Sequence, residues 1–333
     1  MKPGNITAKI GTVKRIIEKK LITNGVYSKS NKEELIVLMY HGISKVENTN
    51  FNQRFFSIAD FEKQIAAFKK HFNILSFPDF INKNYSKEKT NILLTFDDGY
   101  ANNFNYALPV LEKYNAHAFF FISGLNTADK KILWADAVDI AGHYGKEKSK
   151  ITFNNIDFFL HDHKFVNPDL DFDLRAHVKE SKTPGYDEKE ELINSLLAVY
   201  DFTKIKETAD YWQLMTDEQI YSASQSRHIT IGSHGFYHNN LGSLSNNDAV
   251  SEVMLSKEYL EQITQKEVNT IGFPDGSYTP QLNDSLYENG FIKQFVVDYR
   301  YNDAHERDFT YHRFGLYPNM GNSHTILYKI LNQ

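Results

Sequence analysis

The chain has 333 residues, of which 41% are hydrophobic, as is ordinary for a globular protein with a large core. A net charge of −5 gives no sign of a nucleic-acid-binding surface, and nothing in the sequence specifies an oligomeric state. Because cysteine is absent, disulfides and thiolate metal sites are excluded, and any metal must be held by His, Asp or Glu.

The first 34 residues are polar and basic and predict an N-terminal extension. Charges interrupt every candidate apolar core of a signal peptide, so we expect a cytoplasmic protein. No apolar run approaches the roughly 20 residues that cross a bilayer, which predicts no transmembrane segment. Residues 10–22 favour a short surface helix; the alternative is a basic amphipathic helix lying on a membrane or on a partner.

Strands and helices are predicted to alternate along the rest of the chain. The predicted strands are 35–40, 91–96, 118–122, 228–231, 270–273, 291–297 and an extended segment at 311–317. The predicted helices are 57–72, 108–114, 134–141, 187–200, 217–226, 245–263 and 280–289. Such strand–helix units indicate a mainly parallel sheet covered by helices, whose active site lies at the carboxyl ends of the strands.

The region 144–210 interrupts this alternation. Residues 151–160 predict a hairpin that turns at Asn154 and Asn155, and a polar, poorly patterned stretch follows. We therefore interpret 144–210 as an insert that forms a cap on a single domain spanning residues 35–333.

Two adjacent carboxylates, Asp97 and Asp98, follow the predicted strand 91–96 and precede a glycine. Burying two like charges together is costly unless a cation or hydrogen-bond donors compensate. Taken alone, the pair is equally compatible with a solvent-exposed turn.

Two histidines, His234 and His238, follow another predicted strand at a spacing of four residues. On a helical turn this spacing puts both imidazoles on one side, where they can share a metal ion. Because the chain has 13 histidines, chance is the better explanation for this pair taken alone.

The two motifs together are more informative than either one. Both follow predicted strands, and a parallel fold gathers its functional residues at such strand ends. Two neutral imidazoles and one carboxylate form a ligand set with open positions, which suits zinc or another divalent metal. The second carboxylate is then available as a general base.

Four segments resemble the polysaccharide deacetylase family, also known as the NodB-homology domain or carbohydrate esterase family 4. TFDDGY at 95–100 resembles the first signature, and SHGFYHNNL at 233–241 resembles the His-x-x-x-His signature. VLMYHGI at 37–43 is similar to the opening strand of many members, and GFPDGSY at 272–278 to the third motif.

This resemblance covers roughly residues 35–125 and 212–320 and leaves the 144–210 region unmatched. It implies an α/β fold, a deformed (β/α) barrel that usually has seven strands. It also implies a metal-dependent hydrolase that removes an acetyl group, most often N-acetyl, from a carbohydrate or glycoconjugate.

The resemblance also implies roles for individual residues. Asp97 matches the general base, and Asp98, His234 and His238 match the metal ligands. Zinc is the expected ion, with Co²⁺, Ni²⁺ or Mn²⁺ as alternatives. The backbone N–H of Asp275 matches a donor to the oxyanion of the tetrahedral intermediate.

This sequence departs from the family pattern at three matched positions. Gly235 stands where Ser or Thr is common, Asn239 replaces a frequent proline, and Asp275 replaces a common tyrosine. The Leu–His motif that carries the family's general acid is not recognisable.

Other residues are weaker candidates for the site. His312 or His324 could replace the general acid, although lone histidines are more often packing or surface residues. Arg313 could pair with Asp97 and keep it ionised, or lie on the surface. His41 and Tyr278 are candidates for contact with substrate or oxyanion, and Trp134 and Trp212 for stacking on a sugar ring.

Two alternatives to a carbohydrate deacetylase remain. The same fold could hydrolyse another C–N amide bond, in a formamide or a cyclic amide. A catalytically inactive domain that binds sugars is the other alternative, and the three departures favour it. The four intact residues at 97, 98, 234 and 238 oppose it, because a binding module has no need of all four.

Overall fold

The computed structural model of the protein describes residues 35–45, 52–128, 131–297, 307–321 and 325–326. The predicted N-terminal extension, including the helix predicted at 10–22, lies outside these residues, as does His324. Among the described helices, none combines the length and the apolar character that crossing a membrane requires.

The described residues contain thirteen strands and nine α-helices. The strands are β1 Leu35–Tyr40, β2 Gly42–Ser44, β3 Phe55–Ser57, β4 Asn73–Ile74, β5 Asn91–Phe96, β6 Ala118–Ile122, β7 Lys150–Phe153, β8 Ile156–His161, β9 Lys164–Val166, β10 Ile229–Ser233, β11 Thr270–Gly272, β12 Lys293–Val297 and β13 Thr310–Gly315. The helices are α1 Ile58–His71, α2 Phe77–Ile81, α3 Leu108–Lys113, α4 Trp134–Tyr144, α5 Leu174–Lys179, α6 Asp187–Val199, α7 Asp217–Gln225, α8 Asn246–Thr264 and α9 Pro280–Glu288.

Seven parallel strands form a closed barrel at the centre of the protein. Their order is β1, β13, β12, β11, β10, β6 and β5, and β5 pairs again with β1 to close the ring. Val37 of β1 pairs with Arg313 of β13 on one side and with Leu93 of β5 on the other. The predicted seven-stranded (β/α) barrel is therefore confirmed.

The barrel strands carry large apolar residues on both faces, as strands buried between a core and covering helices must. One set of alternate positions, including Val37, Leu93 and Phe121, forms a cluster within the barrel. The intervening positions, including Leu38 and Leu94, pack with the surrounding helices instead. This alternation decides which side chains can reach the barrel interior.

Helix α2 covers the amino-terminal end of the barrel. Ser76 caps it by accepting a hydrogen bond from the Asp79 backbone N–H, and its Phe80 ring is fully buried. The centroid of that ring lies 4.9 Å from Tyr311, 6.0 Å from Phe295 and 6.3 Å from Phe119. An aromatic plug therefore closes this end, and solvent reaches the interior from the other end.

The 144–210 segment builds a small layer of its own. Strands β7, β8 and β9 form an antiparallel sheet, and the predicted hairpin at 151–160 is present. Its turn residues Asn154 and Asn155 have φ values of 49° and 61°, which Asn tolerates better than most residues. The sheet packs with α4 and α6 in a separate apolar cluster beside the barrel.

Candidate metal centre

Asp97 and Asp98 lie directly after β5, at the carboxyl end of the barrel. The Asp97 backbone N–H donates to the Tyr40 carbonyl at 3.0 Å, which continues the pairing of β5 with β1. Asp98 then turns the chain with a φ of 75°, and Gly99 follows with a φ of 80°. A Cβ at Gly99 would lie 2.9 Å from the Ile122 side chain, so this turn requires glycine. Both carboxylates are buried.

His234 and His238 follow β10 on a loop, not on the helical turn that their spacing suggested. The His234 backbone N–H donates to the Ile122 carbonyl at 3.0 Å, which places its side chain beside the carboxylates. Left-handed backbone at Gly235 (φ 69°) and His238 (φ 52°) folds the loop back on itself. The two imidazole centroids are consequently 5.0 Å apart.

Asp98 and the two histidines converge on one point. The Asp98 Oδ1 atom lies 3.1 Å from His238 Nε2 and 3.3 Å from His234 Nε2. One ligand atom from each residue lies within 4.8 Å of the other two. His234 Nδ1 donates to the Gly272 carbonyl at 2.6 Å, which orients the ring so that Nε2 faces Asp98.

The electrostatics of these three residues fit a divalent cation. Burial alone would raise the pKa of the Asp98 carboxyl, but its contacts with His234 and His238 hold that pKa well below the ordinary value. The carboxylate is therefore ionised, and its buried Oδ2 atom makes no hydrogen bond. One carboxylate and two imidazoles are a donor set that suits zinc and similar ions.

Asp97 lies beside this group with a different partner. Arg313 Nη1 donates to Asp97 Oδ1 at 2.6 Å, and the Arg313 side chain is almost fully buried. The guanidinium lies 5.5 Å from the centroid of the Phe121 ring. Asp97 Oδ2 is 3.9 Å from His234 Nε2, beyond hydrogen-bonding distance. Asp97 is therefore held by a cation of the protein and remains outside the ligand group.

These residues line a cavity of about 190 Å³. The other residues in its wall are Met39, His41, Arg54, Trp134, Ala135, Arg175, Lys179, Asp275, Gly276, Val297 and Tyr317. Burial lowers the pKa of His41 to about 4, although the charge of Asp98 opposes the shift, so this imidazole is neutral at neutral pH. Asp275 adopts a left-handed conformation with a φ of 55°, and its carboxylate forms a 2.5 Å ion pair with Lys179.

Two predicted site residues are not brought to the cavity. His312 precedes Arg313 on β13, and successive side chains of a strand point to opposite faces. Because Arg313 faces the interior, His312 is directed outward, and its side chain is exposed. Tyr278 is buried in another apolar cluster, with its ring 5.7 Å from Phe273. Of the two tryptophans, Trp134 lines the cavity, whereas Trp212 packs against Phe202.

A buried ionic network that was not predicted from the sequence lies behind Asp98. Arg54 donates to Asp136 and approaches Asp98 Oδ2 at 3.5 Å through its other nitrogen. Tyr100 donates to the second oxygen of Asp136 at 2.7 Å. Burial raises the pKa of Asp136 to about 6, against the opposing effect of Arg54. Asp136 is an acidic residue in a predicted helix, and nothing in the sequence around it indicated that it would be buried in this network.

The 144–210 segment also contributes positively charged residues to the wall of the cavity, which were not predicted from the sequence. Arg175 and Lys179 project from α5 into the cavity lining, and each pairs with a carboxylate, Asp139 and Asp275 respectively. Their spacing of four residues on one helix was visible in the sequence. The location of that helix over the barrel mouth was not.

Comparison with known proteins agrees with this geometry. The family model described as "Polysaccharide deacetylase" matches residues 84–156 and 187–292, more than half of the chain. The chain belongs to the polysaccharide deacetylase family. Membership indicates a carbohydrate deacetylase. No curated protein matches the sequence.

Solved structures of deacetylases share the fold. The Streptococcus pyogenes deacetylase PplD, in complex with acetate, has 17% identity and a TM-score of 0.55, with coverage of 89% of this chain and 97% of PplD. IcaB from Ammonifex degensii has 15% identity and a TM-score of 0.52, with coverage of 90% and 97%. A polysaccharide deacetylase from Bacillus cereus has 17% identity and a TM-score of 0.53, with coverage of 89% and 68%.

Proposed function

We propose that this protein is a metal-dependent hydrolase that removes acetyl groups, most often N-acetyl, from a carbohydrate or glycoconjugate. One observation carries the proposal: Asp98, His234 and His238 present ligand atoms to one point, while Asp97 lies beside them and pairs with Arg313. A zinc ion, or Co²⁺, Ni²⁺ or Mn²⁺ in its place, suits that donor set.

A bound divalent ion would supply Lewis acidity toward the acetyl carbonyl and lower the pKa of a water molecule. Asp97 is placed to take the proton of the attacking water, because it is not occupied as a ligand. Its ion pair with Arg313 fixes the position of the carboxylate beside the candidate metal ligands. The backbone N–H of Asp275, in the cavity wall, is a candidate donor to the developing oxyanion.

The leaving nitrogen must also receive a proton. His312 is directed away from the cavity, and the neutral His41 carries no extra proton to give at neutral pH. We propose that Asp97, once protonated by water, passes that proton to the departing amine. Asp97 receives the proton as the water oxygen adds to the acyl carbon, and gives it to the nitrogen as the C–N bond breaks. The free amino sugar then leaves with acetic acid, which ionises to acetate.

The substrate class follows from the family and from the cavity. A cavity of about 190 Å³ has room for an acetyl group and part of a sugar ring. Trp134 in its wall offers an aromatic surface, which sugars commonly contact. PplD was solved with acetate, the product that this reaction would release.

The test is acetate release from a panel of acetylated sugars by protein that has been stripped with chelator and reloaded with one metal at a time. We expect about one divalent ion per chain, and activity only after reloading. Asp97→Asn should keep the metal and lower turnover by about 10²–10⁴-fold, the usual contribution of a general base. Asp157→Asn, on the exposed sheet of the 144–210 segment, is the matched control.

The same assay decides between the two alternatives. Release of formate or ammonia in place of acetate would indicate another C–N hydrolase. Failure of the reloaded protein to turn over any of these substrates, combined with measurable sugar binding, would indicate a binding domain.

A further inference from the structure

The loop that carries His238 is fastened to the 144–210 segment by three buried polar residues, Lys189, Asn239 and Glu252. We infer that this group, the Lys–Asn–Glu node, positions His238 for metal binding, so that the 144–210 segment is part of the metal site's support. The inference rests on the proposed function, since it assumes that the site binds a metal.

Asn239, directly after His238, is the centre of the node. Lys189 of helix α6 donates a hydrogen bond to the Asn239 side-chain oxygen. The side-chain nitrogen of Asn239 donates to Glu252 Oε2 at 2.8 Å and to the Gly185 carbonyl at 3.0 Å. Two of these three bonds therefore reach residues of the 144–210 segment, and the third reaches helix α8.

Glu252 holds the same loop through its backbone. Its Oε1 atom accepts from the Tyr237 N–H at 3.0 Å and from the Asn239 N–H at 3.3 Å. A Cβ at Gly235 would lie 2.9 Å from that oxygen, in a backbone with a φ of 69°. The left-handed backbone favours glycine at this position, and a side chain here would also displace the Glu252 carboxylate.

Burial makes the node sensitive to the loss of any member. Lys189, Asn239 and Glu252 are each exposed by 5% or less, so neither charge is hydrated. Removing one member leaves the hydrogen-bonding groups of the others buried without that partner, which is costly. The Asn239 amide accepts from the ammonium through its oxygen and donates to the carboxylate through its nitrogen, which a proline at this position could not do.

The node reaches the candidate metal site through the loop that carries His238. His238 has a left-handed φ of 52°, and its Nε2 atom lies 3.1 Å from Asp98 Oδ1. A left-handed histidine persists only where its surroundings hold it. The two backbone N–H groups held by Glu252 flank this residue on both sides, at 237 and 239.

The experiment measures metal affinity. A general loss of stability lowers the amount of folded protein but does not change the affinity of the molecules that are folded. Lys189→Met and Asn239→Ala are loaded with Co²⁺ or Zn²⁺, titrated with a competing chelator, and compared with wild type by the Co²⁺ absorption spectrum. We expect affinity to fall about 10–100-fold, as for other residues that orient metal ligands, and the Co²⁺ spectrum to change.

A matched control lies in the same segment. Tyr186 donates to the Ile132 carbonyl at 2.6 Å, and none of the hydrogen bonds described above joins it to the loop that carries His238. Tyr186→Phe should lower stability and leave both the metal affinity and the Co²⁺ spectrum as in wild type. If it weakens metal binding as much as Lys189→Met does, the node has no special role and the inference is overturned.

A charge exchange provides rescue. Asn239→Asp alone places two carboxylates next to each other, at positions 239 and 252. Adding Glu252→Gln leaves one negative charge and restores an amide donor between the two positions. We expect the double variant to recover part of the metal affinity that Asn239→Asp loses. Wild-type affinity in every node variant would overturn the inference, whereas a wild-type protein that binds no metal would overturn the proposed function itself.

Discussion

The two ends of the barrel are built from the same seven strands and have opposite chemistry. At the amino-terminal end, Phe80 of the plug helix contacts Phe119, Phe295 and Tyr311 in an aromatic cluster. At the carboxyl end, buried charged residues surround an open cavity. The first end is arranged for stability, and the second accepts buried charge and left-handed backbone that only a function explains.

The comparison predicts that substitutions at the two ends separate activity from stability. Changes at the carboxyl end should remove activity without loosening the fold. Changes at the plug should loosen the fold and leave the chemistry of the folded molecules intact. The following experiments test this separation, from the largest expected effect to the smallest.

Asp98→Asn should have the largest effect on activity. Asparagine tolerates the φ of 75° at this position but removes the charged ligand. We expect loss of the bound metal and a decrease in turnover of about 10³-fold or more, because Lewis acidity contributes several kcal/mol. In chelator, the free energy of unfolding in urea should fall by less than for the plug variant Phe119→Ala, because asparagine fills the same volume and Arg54 keeps its partner Asp136. A large loss of stability would show that the charged end also supports the fold.

Phe119→Ala should have the largest effect on stability. Removing this buried ring from the plug should cost about 3–5 kcal/mol in urea unfolding, as truncations of core aromatics do. Phe119→Leu should cost less, because it leaves a smaller cavity. Metal affinity per folded molecule, measured by chelator titration at low temperature, should equal that of wild type. A weaker affinity would mean that the plug also shapes the site.

Arg313 joins the two ends, since its guanidinium lies over Phe121 and donates to Asp97. Arg313→Lys keeps a charge but loses the planar group, and should lower kcat about 10–100-fold, as other orienting partners do. KM should change little, because the contact is to the base. Arg313→Met should lower kcat further, since it leaves Asp97 without its cation. A rise in KM at constant kcat would indicate that Arg313 binds substrate instead.

Lys189 should give the smallest effect, a dependence of stability on pH. Burial lowers its pKa from 10.5 to about 8, while Glu252, Glu188 and Asp275 oppose the shift. Between these two values the unfolded chain binds more protons than the folded protein, so stability should rise with pH. Lys189→Met should lose this increment in chelator-treated protein, measured by urea unfolding from about pH 8 to 10.5, the window between the two pKa values. Parallel curves for the two proteins would contradict the prediction.

The barrel strands could be predicted from the sequence, because buried strands are short apolar runs. The motifs could be assigned to the carboxyl ends of these strands, because they follow them directly. The sequence did not predict helix α2, since five residues are too few to show a helical period. It also proposed both His312 and Arg313 as site residues. Neighbours on one strand face opposite sides, so the predicted strand at 311–317 was already reason to choose one of them.

The missed residues of the site share a physical property. Arg54 reaches Asp98 from a loop before helix α1, and Lys189 reaches Asn239 from a segment 50 residues earlier. Nothing local distinguishes these cations from ordinary surface lysines and arginines. Their role arises only when burial removes water and leaves one carboxylate or amide as their partner.

The position of β13 in the ring has a consequence for biosynthesis. This strand lies between β12 and β1, and it supplies the arginine that pairs with Asp97. During translation, six of the seven barrel strands and all three candidate metal ligands emerge from the ribosome before β13 does. A nascent chain therefore cannot complete either the hydrogen-bonded ring or the ion pair of Asp97 until β13 has been translated.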